Sequence, residues 1–389
     1  MRHPILPILI SLGIFLIGHG LQLSLLPLFA RDIGWTDFAI ALTGASYFLG
    51  FVVGCIVVPR QLARSGHIRV FLCAGGTAAA TLLILEFSPY LWAWLLLRFI
   101  TGCCLACMYT VVESWINEFG SNAHRGRLIS IYIITTLVGI GIGQQMLGLM
   151  ELLPLFRIGA IVMLLALLPM GLSLVEQPMM LETESPSLTM VSTLPIIASA
   201  GMVLGGIVTG SIWTLAPLVA QNSGLTPVEI GFMMNAVVVG GALAQLPLGW
   251  LSDKFNRATT MNVIAIFTVI LCGIALTRPQ EGMALIMLMF FLGGTSLSIY
   301  GICVSEANDK SELNRIQIAT ILLLLNSAGS IIGPIATGLV AIHSDKALFI
   351  VTLSSMIFLS MIITLAGRRT PKDIAAKQPE NDFYGAKPG

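Results

Sequence analysis

The chain has 389 residues, 56% of them hydrophobic and 10% charged, with a formal net charge of +1. A mean hydropathy of +0.92 excludes an ordinary soluble domain, whose interior cannot hide so much apolar surface. The near-zero charge excludes the basic footprint of a nucleic-acid binder.

What remains is a series of apolar runs of about 20 residues, the length that carries a helix across a bilayer. Met1-Arg2-His3 ahead of apolar sequence imitates a secretion signal, but the stretch continues to Ala30 without a cleavage site and reads as an uncleaved first span. Spans are predicted near 5–30, 36–58, 70–88, 91–116, 127–150 and 155–175. After a polar connection come spans near 192–220, 227–250, 259–277, 282–304, 317–342 and 347–367. The predicted layout is an N-terminal six-helix bundle over 1–175, a cytoplasmic central loop over 176–191, a C-terminal six-helix bundle over 192–367 and a disordered cytoplasmic tail over 368–389. The tail mixes Arg368, Arg369, Lys372, Lys377 and Lys387 with prolines and acids and has no apolar run to fold around.

Lysine and arginine set the orientation. With the N-terminus inside, the cytoplasmic set is Arg2, Arg60, Arg64, Arg69, Arg125, Arg127, Lys254, Arg257, Lys310, Arg315 and the five tail residues, which is 15 of the 20. Arg31, Arg157, Arg278 and Lys346 fall on the outer side, and Arg98 lies inside a span. Both termini are therefore expected in the cytoplasm. Trp35, Trp92, Trp94, Trp115 and Trp250 fall at span ends, as an aromatic belt would.

Seven cysteines, including Cys104-x-x-Cys107, all fall inside apolar runs and read as packing residues. No partnering pair or histidine cluster completes a metal site, and no Gly-x-x-x-x-Gly-Lys-Ser/Thr loop signals ATP. No metal or cofactor is expected.

The two halves match at their punctuation when the chain is shifted by 190 residues. Gly20 meets Gly210, Pro27 meets Pro217, Gly34 meets Gly224 and Thr36 meets Thr226. Gly139-x-x-x-Gly143 meets Gly329-x-x-x-Gly333, and Gly148 meets Gly338. One further step pairs Gly102 with Gly293 and Tyr109 with Tyr300. Shared glycines and prolines imply shared backbone geometry, so the fold class is an all-α membrane protein of twelve transmembrane helices in two pseudo-symmetric six-helix bundles.

Arg98 falls about seven residues into the fourth span, roughly 10 Å deep at 1.5 Å per residue. Gly102, Tyr109 and Glu113 lie within about 60° of it on a helical wheel, forming a polar stripe. A buried guanidinium either binds a solute and tunes a proton site, or bonds carbonyls of a broken helix; the stripe favours the first. Glu113 either carries protons or serves as a gate pairing with Arg64, Arg125 or Arg127, and its place at the inner end of the span favours the gate. His19 and Gln22 share one face near the middle of the first span. The remaining mid-span polar groups are Tyr47, Gln144, Gln145, Trp213, Asn235, Gln245, Tyr300 and Asn326. Each alone is more often packing glue than ligand. Together with His19, Gln22, Arg98 and Tyr109 they describe a substrate cavity of neutral hydrogen-bonding groups, aromatic surface and one firm positive charge.

The segment Gly249-Trp250-Leu251-Ser252-Asp253-Lys254-Phe255-Asn256-Arg257 concentrates charge between two apolar runs, so it must lie at a membrane surface. Gly249 there is expected to permit close backbone approach. Twelve spans as six plus six, with this loop between spans eight and nine and Arg98-Phe-Ile-Thr-Gly102 in span four, resemble the major facilitator superfamily over nearly the whole chain. The segments Glu113-Ser-Trp-Ile-Asn117 and Ala307-Asn308-Asp309 resemble a bacterial branch related to efflux-type carriers. In the first half Pro59 and Ala63 replace the loop's glycine and aspartate, and the Gly-Pro pair of family antiporters stands only in span eleven, at Gly333-Pro334. The resemblance implies a cytoplasmic lock: Asp253 approaching the start of span five near Arg125 and Arg127, and Arg257 reaching Glu306 or Asp309, with Gly249 and Lys254 completing the loop.

The expected function is a secondary transporter, not an enzyme, carrying a small organic solute across a bacterial inner membrane by alternating access, as a monomer coupled to protons. Export is favoured because no deep carboxylate stands ready to hold a cation. Uptake of a small organic anion through Arg98 is the alternative within the class. A membrane sensor or scaffold is the alternative outside it, and an intramembrane enzyme lacks both His-Glu-x-x-His and paired aspartates.

Overall fold

The computed structural model describes residues 5–119, 125–173, 188–278 and 281–368, so most of the predicted central loop and nearly all of the predicted tail lie outside it. Among the described residues, twelve helices are long and apolar enough to cross a membrane. They are α1 (Leu6–Asp32), α2 (Asp37–Ser65), α3 (His67–Phe87), α4 (Leu91–Phe119), α5 (Arg125–Gln145) and α6 (Leu152–Gly171). The second half holds α7 (Ile196–Asn222), α8 (Pro227–Lys254), α9 (Arg257–Thr277), α10 (Gly282–Lys310), α11 (Arg315–Ala341) and α12 (Ala347–Arg368). A helix satisfies its own backbone, which is what a hydrocarbon surround demands.

The repeat read from the sequence reappears as matched local structure. Thr36 caps α2 by accepting from Ala39 N–H, and Thr226 caps α8 in a reciprocal box with Glu229. The turns before them need a left-handed residue, supplied by Gly34 at φ +88° and Gly224 at φ +78°.

Packing repeats as well. The tight pairs are α1 with α5 and α2 with α4 in one half, and α7 with α11 and α8 with α10 in the other. A Cβ at Gly102 would strike the backbone of Tyr47, and one at Gly293 the backbone of Val237. Gly143 meets Ile17 in the same way, and Gly333 meets Ile207. Small residues let helix backbones touch where lipid supplies no hydrophobic drive between them. Peripheral helices complete each half: α3 on α4 and α6, and α9 on α12.

The helices end on two faces. One, the Arg31 face, carries Arg31 bonded to Asp37, Arg157 paired with Glu86 at 2.5 Å, and Lys346 Nζ donating to Leu276 O at 2.7 Å. The opposite, Arg257 face carries Arg64, Arg69, the Arg257 turn and Lys310.

The tryptophans depart from the expected belt. Trp92 and Trp250 are exposed, but Trp94 and Trp115 are fully buried. Trp94 donates Nε1–H to Ser88 O at 2.7 Å and packs against Phe29 and Trp35. Position at a span end therefore did not place these two rings at a lipid interface; packing within the bundle did.

Candidate functional site

The halves touch on one side of their midplane. Near the Arg31 face, Arg31 Nη1 donates to Asn222 at 3.0 Å and Gln221 Nε2 to Asp32 at 3.3 Å. Gly44 abuts Thr214, Gly148 abuts Val228 and Gly338 abuts Phe38 and Ala41. Further in, Gly231 meets the backbone of Gln144, and Asn235 Nδ2 donates to Gly141 O at 3.1 Å. All of these contacts lie in the helix ends nearer the Arg31 face.

Beneath that closure sits the main polar cluster, built from α1, α2 and α4. Arg98 on α4 is 7% exposed and holds its guanidinium carbon 4.4 Å from the centre of the Tyr47 ring on α2. The Tyr47 hydroxyl lies 3.4 Å from His19 Nε2 on α1, and the two rings stack with centroids 5.9 Å apart. Gln22 follows one turn after His19 and is fully buried. Arg98 Nη1, His19 Nδ1 and both polar atoms of the Gln22 amide are buried without a hydrogen-bond partner. A cation over an aromatic face gains about 0.5–2 kcal/mol. A charge near mid-membrane costs about 2.5–3.5 kcal/mol on insertion scales. The ring alone does not offset that cost.

Toward the Arg257 face the polar stripe of α4 continues. Tyr109 packs edge-on against Phe51 and Tyr132. Glu113 is exposed and accepts from the Tyr132 hydroxyl at 3.4 Å. Tyr300, from the other half, is 37% exposed. The expected pairing of Glu113 with Arg64 or Arg127 is not present among the described ion pairs, and the side chain of Arg125 lies outside the described residues. The carboxylate takes its described hydrogen bond from a phenol on α5 instead.

The charged turn is partly as expected. Arg257 reaches Asp309 through Nε and Asp253 through Nη1, the latter at 3.2 Å, while Glu306 is buried against Lys310 at 2.7 Å. Asp253 does not lie against the start of α5: its side chain is 73% exposed and its ion partner is the arginine one turn along. Among the described residues, the contacts between the halves named above lie toward the Arg31 face, and none of them involves Asp253. Gly249 is a second correction, since a Cβ there would meet nothing within 4 Å. Lys254 lies over the Trp250 ring at 4.9 Å, a contact within its own turn.

The other predicted cavity residues sort into two roles. Gln144 accepts from Ser24 and is fully buried, Asn235 bridges the halves, and Asn326 donates to Met202 O at 3.4 Å, so these three hold helices together. Gln144 and Gln145 each keep a buried, unpartnered amide nitrogen, and Trp213 is half-buried against the core. Ser24 and Tyr132 were missed. Tyr132 carried a signal, since a tyrosine inside a predicted span needs a partner for its hydroxyl. Among the described residues no group of three His, Cys, Asp or Glu side chains is placed to hold a metal. Two outward crevices, of about 540 Å³ among α2, α3 and α4 and about 480 Å³ among α8, α9 and α10, are repeat-related and lined mainly by apolar residues.

Comparison with known proteins gives one consistent picture. The model of the Major Facilitator Superfamily matches twice, over residues 8–197 and 198–387. The uncharacterized MFS-type transporter YcaD of Escherichia coli O6:K15:H31 is 31% identical, covering 96% of this chain and 98% of that protein. Its counterpart in Escherichia coli K12 is likewise 31% identical, over 96% and 98%. The crystal structure of the nucleoside transporter NupG superposes with a TM-score of 0.76 at 15% identity, covering 95% of this chain and all of that one. A bacterial homolog of the human lysosomal transporter Spinster, inward-facing and occupied, gives 0.75 at 14% identity, covering 94% and 96%.

Proposed function

The chain belongs to the Major Facilitator Superfamily and is a multi-pass membrane transporter of the secondary class, not an enzyme; we propose that it exports a small organic solute across a bacterial inner membrane, coupled to protons. The observation that carries this reading is the joint occurrence of a closed Arg31 face and a buried, unsatisfied polar cluster directly beneath it. Alternating access needs such an arrangement: a site near the midplane, sealed on one side and reached from the other.

The lysine and arginine bias supports placing the Arg257 face in the cytoplasm. Solute then enters between the halves past Glu113, Tyr109 and Tyr300 and settles against Arg98, Tyr47, His19 and Gln22. Glu113 and His19, a carboxylate and an imidazole along that route, are the candidates to exchange a proton. When the halves rock, the Arg31 clasp opens and the Asp253–Arg257–Asp309 turn closes against the first half near Arg125 and Arg127. The absence of a deep carboxylate among the cluster residues supports export over cation-driven uptake. The working unit is a single chain, since each half supplies the other's partner surface.

The test is counterflow by the purified chain in proteoliposomes, using solutes chosen by thermal-shift screening of a metabolite and drug library. The expected result is nucleotide-independent exchange that an imposed proton gradient accelerates. Stabilising binding without any flux would support a sensor instead.

A further inference from the structure

We propose that the solute is a small organic anion whose negative group completes the Arg98 site; this rests on the transporter reading above. The first support is how the chain treats its other buried or half-buried charges. Glu86 is matched by Arg157, Glu306 by Lys310, Arg31 by Asp37 and Arg257 by Asp309 and Asp253. Arg98 is more buried than any of those arginines, yet no carboxylate pairs with it among the described residues. The Tyr47 ring covers a face of the guanidinium and not its N–H edge. Nη1 is buried and unpartnered at that edge.

The second support is the chemistry of the surroundings. A guanidinium edge presents parallel N–H donors whose spacing fits a carboxylate or phosphate with two bonds at once. Gln22 and His19, one turn apart on α1, add an amide and an imidazole that are both buried in the same cluster. The nearest acid on the same helix face is Glu113, about four turns away, too far to neutralise Arg98. One positive charge calls for one negative charge, because a dianion would leave the site charged again. An anion leaving a negative-inside cell also moves with the membrane potential, which agrees with export.

The test uses the full chain, purified, with matched acid and amide probes: acetate and acetamide, benzoate and benzamide, indole-3-acetate and its amide. Thermal stability is followed for wild type, Arg98→Lys and Arg98→Gln. At least one acid is expected to stabilise the wild type while its amide does not. That effect is expected to weaken at least tenfold in half-saturating concentration in Arg98→Gln and to survive in part in Arg98→Lys. Without ligand, Arg98→Gln is expected to melt no lower than wild type, since an unpaired buried cation has been removed. The proposal is overturned if no acid outperforms its amide, if acids act equally on Arg98→Gln, or if ligand-free Arg98→Gln melts well below both wild type and Arg98→Lys. Acid binding through Arg98 with no counterflow of that acid would keep the anion site and reject the transporter reading.

Discussion

Arg98 and Tyr47 face each other across α4 and α2, guanidinium carbon to ring centre, at 4.4 Å. The same tyrosine presents its hydroxyl to His19. Tyr47 thus touches both groups, and its two ends are separable by substitution. Tyr47→Phe keeps the aromatic face and loses the hydroxyl. Tyr47→Leu loses both. Loss of the face is worth about 0.5–2 kcal/mol, so Tyr47→Leu is expected to weaken solute affinity about 2- to 30-fold beyond Tyr47→Phe. Concentration dependence of counterflow for the two variants measures the difference.

Glycine spacing makes a second prediction. Gly102 touches the backbone of Tyr47, and its repeat partner Gly293 touches that of Val237, so neither has room for a side chain. Gly102→Val and Gly293→Val are each expected to destabilise the protein by about 1–3 kcal/mol through overpacking. Gly249→Ala, facing open space, is expected to stay within about 0.5 kcal/mol of wild type. Denaturant unfolding of the three variants in detergent checks both limbs. Equal losses at all three positions would contradict the packing described.

How much of this was legible in the sequence follows from which groups act locally. Twelve spans depend on runs of neighbouring residues and the repeat on matched positions such as Thr36 and Thr226, and the pattern showed both; that these two threonines cap helices came only from the structure. Gly102 and Gly293 stood out because the repeat singled them out. Gly249 was misread for the opposite reason: a glycine in a conspicuous loop implies close approach only if a partner is there, and the partner is set by the relative placement of the halves. The depth of Arg98 was countable along α4, but its stacking on Tyr47 joins residues far apart in the chain and depends on how α2 and α4 pack. Asn235 and Asn326 looked like cavity groups, yet each found a carbonyl on an adjoining helix, a choice that composition does not reveal.

The charged turn yields a third prediction. Arg257–Asp309 and Arg257–Asp253 join a half-buried arginine to exposed carboxylates, so each is worth at most about 1 kcal/mol of stability. Asp309→Asn is therefore expected to leave the melting temperature nearly unchanged. Asp253→Asn removes no contact between the halves in this state, but by the proposed role it removes one from the alternative state. It is expected to raise the share of molecules closed at the Arg31 face, read as faster cross-linking there. A large drop in melting temperature for either variant would contradict the assignment.

The clasp on the Arg31 face gives a fourth. Gln221 Nε2 and Asp32 Oδ1 lie 3.3 Å apart across the halves, so Asp32→Cys with Gln221→Cys should cross-link readily with a short bifunctional reagent. A cross-linked clasp is expected to abolish counterflow, and a cleavable reagent should restore it on reduction. Undiminished exchange with the clasp sealed would show that the halves need not part there.

Reciprocal motion of the two faces is the core of the account, and paired distance measurements test it most directly. Spin labels at Asp32 and Gln221 report the Arg31 face; labels at the repeat-equivalent Arg64 and Lys254 report the Arg257 face. In lipid vesicles, with and without an imposed proton gradient, each pair is expected to show two distance populations that shift in opposite senses. A single unchanging population at both faces would contradict alternating access by this chain.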